Sequence, residues 1–234
     1  MLPRIICHIM SSVDGRLLPS RWSLPYGDTS QQALFRDYAL LGERFDTDAW
    51  MFGKATVREF FPEKFMSHDT RHAIPDTIFI GDRYSRRLFI TVDYDADIMY
   101  DSSTLRGDNI VTILKHNATV DYLDMLENKG ISYIVINRDA GLRDAMEVLY
   151  REFGIRSISL QGGGIINGAM LADRLIDELS LVMYPGIDGL TTSPSIFEYL
   201  GASDECPASG QSLELSSVER LDSGIVWIRY LFHR

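Results

Sequence analysis

Ser157-Ile158-Ser159-Leu160-Gln161-Gly162-Gly163-Gly164-Ile165-Ile166-Asn167-Gly168 is the stretch on which the fold turns. A short apolar strand runs into three consecutive glycines and then into an apolar pattern of helical period. Glycines carry no Cβ and let backbone N–H groups come close to an anion. A helix that starts just after them adds unpaired N–H donors and the positive end of its dipole. The pyrophosphate of a dinucleotide suits such a junction. The same residues serve equally as a tight strand-to-helix turn with no ligand, so other segments have to decide between the two.

Working upstream, residues 142–153 carry apolar side chains at Leu142, Met146, Leu149 and Tyr150 and predict a helix that Gly154 stops. Residues 132–136 predict a buried strand before it, and Thr119 predicts the cap of a helix reaching Lys129. Residues 87–92, 98–100 and 109–115 predict three more strands. Residues 48–52 predict a strand that ends at Gly53, with 54–59 opening a helix or turn, and Asp28 or Thr29 is placed to cap a helix over 31–41. At the start, the β-branched run 4–11 reads as a buried strand leading into the turn Ser12-Val13-Asp14-Gly15-Arg16. Residues 60–86 lack a readable pattern beyond a short strand over 77–81.

Downstream, residues 165–172 predict a helix and 178–184 a strand ended by Pro185-Gly186. Two alternating runs, 211–220 and 224–232, are joined across Leu221-Asp222-Ser223 and predict a hairpin. Strands that alternate with helices imply a mostly parallel central sheet with helices over both faces, to which the C-terminal hairpin adds antiparallel strands. The expectation is one three-layer α/β domain over residues 1–234. Such sheets take ligands at the carboxyl ends of their strands, here the loops after Ser11, Phe52 and Leu160. In the loop 18–28, Trp22 and Tyr26 either pin the loop to the body or meet a ligand.

Composition narrows the function classes. A formal net charge of −10 without a basic patch argues against a nucleic-acid partner. Cys7 and Cys206 are too few for a disulfide framework or a thiolate zinc site, and a reducing cytoplasm fits them. Residues 1–10 contain no leader-like apolar region, and no later apolar stretch is long enough to span a bilayer, so a cytoplasmic protein with no membrane partner is expected.

Taken in order, Ser12-Val13-Asp14-Gly15-Arg16, Gly53-Lys54-Ala55-Thr56, Ile90-Thr91-Val92-Asp93, the glycine run and Leu171-Ala172-Asp173-Arg174-Leu175-Ile176-Asp177-Glu178-Leu179 resemble the reductase domain of bacterial, archaeal and fungal riboflavin biosynthesis. That domain belongs to the dihydrofolate reductase-like superfamily. The resemblance covers residues 4–189 and extends to the closing hairpin. It implies an NADPH-dependent, metal-free homodimeric reductase that turns the ribosyl group of a small-molecule phosphoribosylamino-pyrimidine into a ribityl chain by hydride delivery to C1′.

The resemblance also implies roles. Gly53, Lys54 and Thr56 would contact cofactor phosphates; the residue types agree, although Lys54 also reads as a solvated lysine at a helix start. Gly162, Gly163 and Gly164, flanked by Gln161 and Ile165, would take the pyrophosphate. Asp93 and Asn137 match positions near the adenosine half, where a carboxylate suits ribose hydroxyls and repels a 2′-phosphate. Ser12 and Asp14 would position nicotinamide and substrate, and Asp14, or a water it holds, would deliver a proton. Asp14 equally reads as the residue that shapes its own turn. Arg36 would grip a substrate phosphate, or is an exposed helix arginine.

Departures fall on the substrate side. Gln161 stands where many members of that family have Glu, and Glu59-Phe60-Phe61-Pro62-Glu63-Lys64 does not reproduce the family's acidic, proline-containing segment. The fused zinc deaminase motif is absent from this sequence. Two other readings therefore stay open: a reductase of the same scaffold for a pterin or another carbonyl or imine, and a non-catalytic nucleotide-binding protein.

Overall fold

The computed structural model describes residues 1–66, 74–85, 87–137 and 141–234. In chain order the elements are β1 (Arg4–Ser11), α1 (Gln31–Glu43), β2 (Ala49–Gly53), α2 (Lys54–Val57), β3 (Thr77–Phe79), β4 (Leu88–Val92), β5 (Thr104–Leu105) and β6 (Asp108–Lys115). They continue with α3 (Val120–Asn128), β7 (Ser132–Ile136), α4 (Leu142–Arg151), β8 (Ser157–Leu160), α5 (Gly164–Ala172), β9 (Glu178–Met183), β10 (Ser212–Arg220) and β11 (Val226–His233).

The chain forms two compact units. The first holds Met1–Pro3 and Asp48–Ile158, the second Arg4–Thr47 and Ser159–Arg234, so the boundary falls inside β8. In the first unit the strand order is β2-β4-β6-β7-β3. The first four of these run parallel, with Ile90 opposite Met51 on one side and Val111 on the other, while β3 is antiparallel to β7 and β5 to β6. In the second unit the order is β10-β11-β9-β1-β8. Here β1 and β9 are parallel, with Cys7 opposite Leu179, and β11 is antiparallel to both β9 and β10. This is the expected α/β class: parallel strands joined by helices, closed by an antiparallel hairpin.

Local chemistry accounts for the element ends. Ser30, rather than Asp28 or Thr29, caps α1, accepting a hydrogen bond from Ala33 N at 3.2 Å. The helix runs two residues past the expected Leu41, which is itself buried. Thr119 caps α3 as expected, accepting from Tyr122 N at 3.3 Å. Residues 98–100 do not form the expected strand: Ile98 makes a lone bridge to Lys64, and Tyr100 is buried with its hydroxyl 2.7 Å from Thr91 Oγ1. Their apolar character reflects core packing rather than a ladder. The irregular stretch expected over 60–86 lies partly outside the described residues, at 67–73 and 86.

Each unit has its own apolar cluster. In the first, Val57, Phe61, Phe89, Tyr100, Tyr122 and Leu126 pack together. In the second, Met10, Trp22, Leu34, Leu41, Val182, Tyr184, Ile225 and Trp227 do so. Trp22 lies 4.8 Å from the Tyr184 ring and pins its loop to the body, whereas Tyr26 is 99% exposed. Among the described residues, no helix is long and apolar enough to cross a membrane.

A polar chain runs through the second unit. Trp227 Nε1 donates to Ser180 Oγ at 2.7 Å, Ser180 Oγ lies 2.8 Å from His8 Nδ1, and His8 Nε2 lies 3.1 Å from the Tyr38 carbonyl. The Tyr38 carbonyl can only accept, so the neutral His8 carries its proton on Nε2, and Nδ1 accepts the Ser180 hydroxyl hydrogen while Ser180 Oγ accepts from the indole. Burial pulls the His8 pKa down to about 4, and the bond to Tyr38 only partly opposes this. The sign follows: an unfolded chain takes up a proton near pH 6.5 and the folded chain does not. His8 therefore contributes stability that is complete above pH 6.5 and is lost as pH falls towards about 4. Urea unfolding should show the wild type losing up to about 1.4 kcal/mol per pH unit more than His8→Gln across that window. Equal acid sensitivity of the two proteins would remove His8 as the cause.

Candidate active site

In the first unit, the parallel strands β2 and β4 end side by side, and their carboxyl ends carry Gly53-Lys54 and Asp93. Asp93 is fully buried. One of its oxygens, Oδ2, accepts from Asp97 N at 2.9 Å, Ile98 N at 3.0 Å and the Tyr122 hydroxyl at 2.9 Å. The other, Oδ1, lies 3.4 Å from Lys54 Nζ. A left-handed turn at Ala96, with φ of 53°, brings the two backbone donors round to the carboxylate. Asp93 thus holds the 93–98 turn through Oδ2, while the buried Oδ1 has no hydrogen-bond partner among the described residues and faces Lys54 only at ion-pair distance.

Lys54 has more company than the sequence reading gave it. Its ammonium lies 2.7 Å from Asp97 Oδ1 and is also paired with Asp95. Asp97 is bound in addition by Arg58 Nη2 at 2.7 Å and Lys64 at 3.3 Å. Three cations therefore face three carboxylates. Partial burial opposes the charge on Lys54, but the bonds to Asp95 and Asp97 outweigh it and raise the ammonium pKa above its ordinary value. Burial likewise opposes the charge on Asp97, and Lys54 and Arg58 outweigh it and keep that carboxyl below its usual range. Thr56 is half-buried on α2; Asn137 is exposed at the end of β7, where it helps to line a surface groove of about 490 Å³ with Ile78, Ile136 and Arg151. The spacing Asp93-Tyr94-Asp95-Ala96-Asp97 is the sequence signal for this cluster, and the resemblance points only to Asp93.

In the second unit, Ser12, Asp14 and the glycine run lie at the ends of β1 and β8, which are neighbours in the sheet. Ser12 is buried; its hydroxyl donates to Asp14 Oδ1 at 2.6 Å and accepts from Arg16 N at 2.9 Å. Asp14 also accepts from Asp188 N at 3.1 Å and Gly189 N at 2.8 Å. Together with Val13 N to Gly186 O at 2.8 Å and Leu17 N to Pro194 O at 2.9 Å, these bonds clasp the turn 12–16 to the loop after β9. That loop carries no sequence signal for this role, because backbone contacts leave no trace in residue type.

The glycines have reasons internal to the fold. Gly162 has φ of +87°, and a Cβ there would lie 2.8 Å from Ile9 Cδ1. A Cβ on Gly164 would lie 2.3 Å from the Ser195 carbonyl oxygen. Helix α5 nevertheless starts at Gly164 with no side-chain cap from Gly163, so its first N–H donors are not met by a cap. Gln161, which precedes the run, is almost fully buried and held at both ends of its amide: Oε1 accepts from the Tyr38 hydroxyl at 2.6 Å and Nε2 donates to Ser159 Oγ at 2.7 Å. Ile165 is half exposed on the first turn of α5, and Arg36 is exposed on α1 without an ion pair to any described residue. Among the described residues, no group of three or more His, Cys, Asp or Glu is placed to hold a metal ion.

The Ser12 hydroxyl first, then the Gly189 and Asp188 N–H groups, hold the Asp14 pKa down to about 2. Stability from Asp14 is therefore present above its ordinary value of 3.8 and is lost as pH falls through about 2. Asp14→Asn should be less stable than the wild type at pH 7, with the gap closing below pH 4; a gap that persists unchanged at pH 2 would show that ionisation of Asp14 is not its source.

The fold has solved neighbours. A pyrimidine reductase-like protein from Corynebacterium diphtheriae aligns over 99% of this chain and 92% of its own, at 18% identity and a TM-score of 0.69. Riboflavin biosynthesis reductase Rib7 of Saccharomyces cerevisiae aligns over 99% and 90%, at 14% identity and a TM-score of 0.62. Acinetobacter baumannii RibD aligns over 99% of this chain but only 58% of its own, at 17% identity and a TM-score of 0.62, so the chain spans little more than half of that protein. At these identities the likeness establishes the dihydrofolate reductase-like fold. Membership follows from the family model described as the RibD C-terminal domain, which matches residues 3–227 and so takes in both units: the chain belongs to the RibD C-terminal domain family.

Proposed function

We propose that the chain is a riboflavin-biosynthesis reductase that uses NADPH to reduce the ribosyl group of a phosphoribosylamino-pyrimidine to a ribityl chain. Family membership across residues 3–227 carries the proposal. The donor chemistry fits a dinucleotide: α5 begins uncapped directly after β8, and Lys54 sits at the start of α2 with its side chain partly exposed. When bound, NADPH supplies the hydride.

The residues of this chain bind, orient and handle the proton. The first N–H groups of α5, with Gln161, Gly162, Gly163, Gly164 and Ile165 around them, offer donors to a phosphate oxygen, while Gly53, Lys54 and Thr56 offer a close backbone, a charge and a hydroxyl. Asp93 serves Lys54 as a fixed counter-charge. Asn137 stands near the adenosine half in this reading. Arg36, exposed and without an ion pair to a described residue, is available for a substrate phosphate.

Reduction of a ring-opened imine places hydride on C1′, moves the C=N electron pair to nitrogen and requires one proton there. Asp14 is ionised at neutral pH and has no proton of its own to give, so the proton comes from a water that its carboxylate holds beside Ser12. A homodimer in the cytoplasm belongs to the same proposal. The edge strand β10 exposes Leu213, Leu215 and Val218, which supports a contact between copies.

NADPH oxidation measured against ring-opened ribosylamino-pyrimidines and against dihydropterins tests the reading. Turnover of the first group is expected. Turnover of dihydropterins alone would replace it with the pterin reductase, and NADPH binding without turnover of either would replace it with the nucleotide-binding protein. In single-turnover measurements Asp14→Asn should slow hydride transfer at least about tenfold; an unchanged rate takes Asp14 out of the chemistry.

A further inference from the structure

Asp95 differs from the other carboxylates on Lys54. Asp93 is buried with three donors on one oxygen, and Asp97, 9% exposed at its side chain, is held by Arg58 and Lys64 as well as Lys54. Both have partners besides Lys54. The Asp95 side chain is 70% exposed, and Lys54 is its one partner among the described residues. It is far more exposed than Lys54, whose side chain is 20% exposed. A carboxylate in that position presents to Lys54 the same chemistry as a phosphate oxygen, one negatively charged acceptor.

We infer that Asp95 is a competing internal anion for Lys54, occupying the ammonium until a phosphate oxyanion of a nucleotide displaces it, and so weakening the grip on phosphorylated ligands. This inference rests on the reading that Lys54 meets a dinucleotide phosphate. Electrostatics gives its direction. Asp93 and Asp97 already balance much of the Lys54 charge, and an arriving dianion meets a third carboxylate unless Asp95 swings into water. Exchange is open to Asp95 because its own side chain is 70% exposed and can turn into water, leaving Lys54 with Asp93 and Asp97. The oxyanion is either the pyrophosphate, common to NADH and NADPH, or the 2′-phosphate found only on NADPH.

Fluorescence titration with NADPH and with NADH, at low salt and at about 0.5 M salt, on the wild type, Asp95→Asn, Lys54→Gln and the double variant tests it without relying on turnover. Asp95→Asn should bind NADPH about two- to fivefold more tightly at low salt. The gain should shrink at high salt and vanish in the Lys54→Gln background. A gain shared by NADH assigns the contact to the pyrophosphate; a gain confined to NADPH assigns it to the 2′-phosphate. Either supports the competition.

Unchanged affinity in Asp95→Asn, with weaker binding by Lys54→Gln, would overturn the role of Asp95 and leave the reading of Lys54 intact. If neither substitution alters a measurable NADPH affinity, Lys54 is not at a phosphate and the inference falls with that reading. Absence of saturable NADPH binding by the wild type would overturn both.

Discussion

The buried carboxylate of Asp93 is the constraint around which the end of β4 is built. A charge taken out of water has to be offset, and this one gathers two backbone N–H groups and the Tyr122 hydroxyl on Oδ2 and the Lys54 charge, at 3.4 Å and without a hydrogen bond, beside Oδ1. Satisfying it bends the chain through a left-handed alanine and turns Asp97 towards Lys54, Arg58 and Lys64. The result is a charge-matched cluster at the carboxyl ends of two parallel strands. A lone lysine there would be a simple phosphate hook; a lysine among three aspartates is one whose affinity for an anion is set by its neighbours.

The same rule governs the second unit. Asp14 stays charged because a hydroxyl and two backbone N–H groups converge on it, and meeting that charge ties the turn 12–16 to the loop after β9. His8 stays neutral because burial penalises its charged form, against the opposing pull of the Tyr38 carbonyl. Tyr38 links the two themes: its carbonyl lies against His8, and its hydroxyl orients the Gln161 amide at the head of the glycine run. The amide in place of a carboxylate suits this setting, since a buried charge beside a tyrosine that burial already keeps protonated would lack a cationic partner.

Much of the fold was legible in the sequence because strands, helices and their caps depend on neighbours a few positions apart. The strand 132–136 matches residue for residue, and the helix after the glycines and the terminal hairpin differ from expectation by one or two positions at their ends. The misses have physical causes. Residues 98–100 are apolar enough for a strand but are buried as packing around Tyr100. Asp28 and Thr29 have good capping chemistry, yet Ser30 lies at the position where the helix N–H groups begin. The glycine run is ambiguous for good reason: Gly162 is required by its φ of +87° and Gly164 by the Ser195 carbonyl oxygen, whether or not an anion binds beside them.

By itself the sequence determined the alternation of strands and helices, the strand-to-glycine-to-helix junction and the residue types available at three strand ends, since all of these follow from periodicity and from backbone freedom at glycine. Only the tertiary structure decided which charges meet. Lys54 and Asp95 are 41 positions apart, and Asp14 and Gly189 are 175 apart. Whether a lysine reaches water or a carboxylate, and whether an aspartate is free or clasped, depends on which distant backbone folds against it, and local sequence contains no term for that distance.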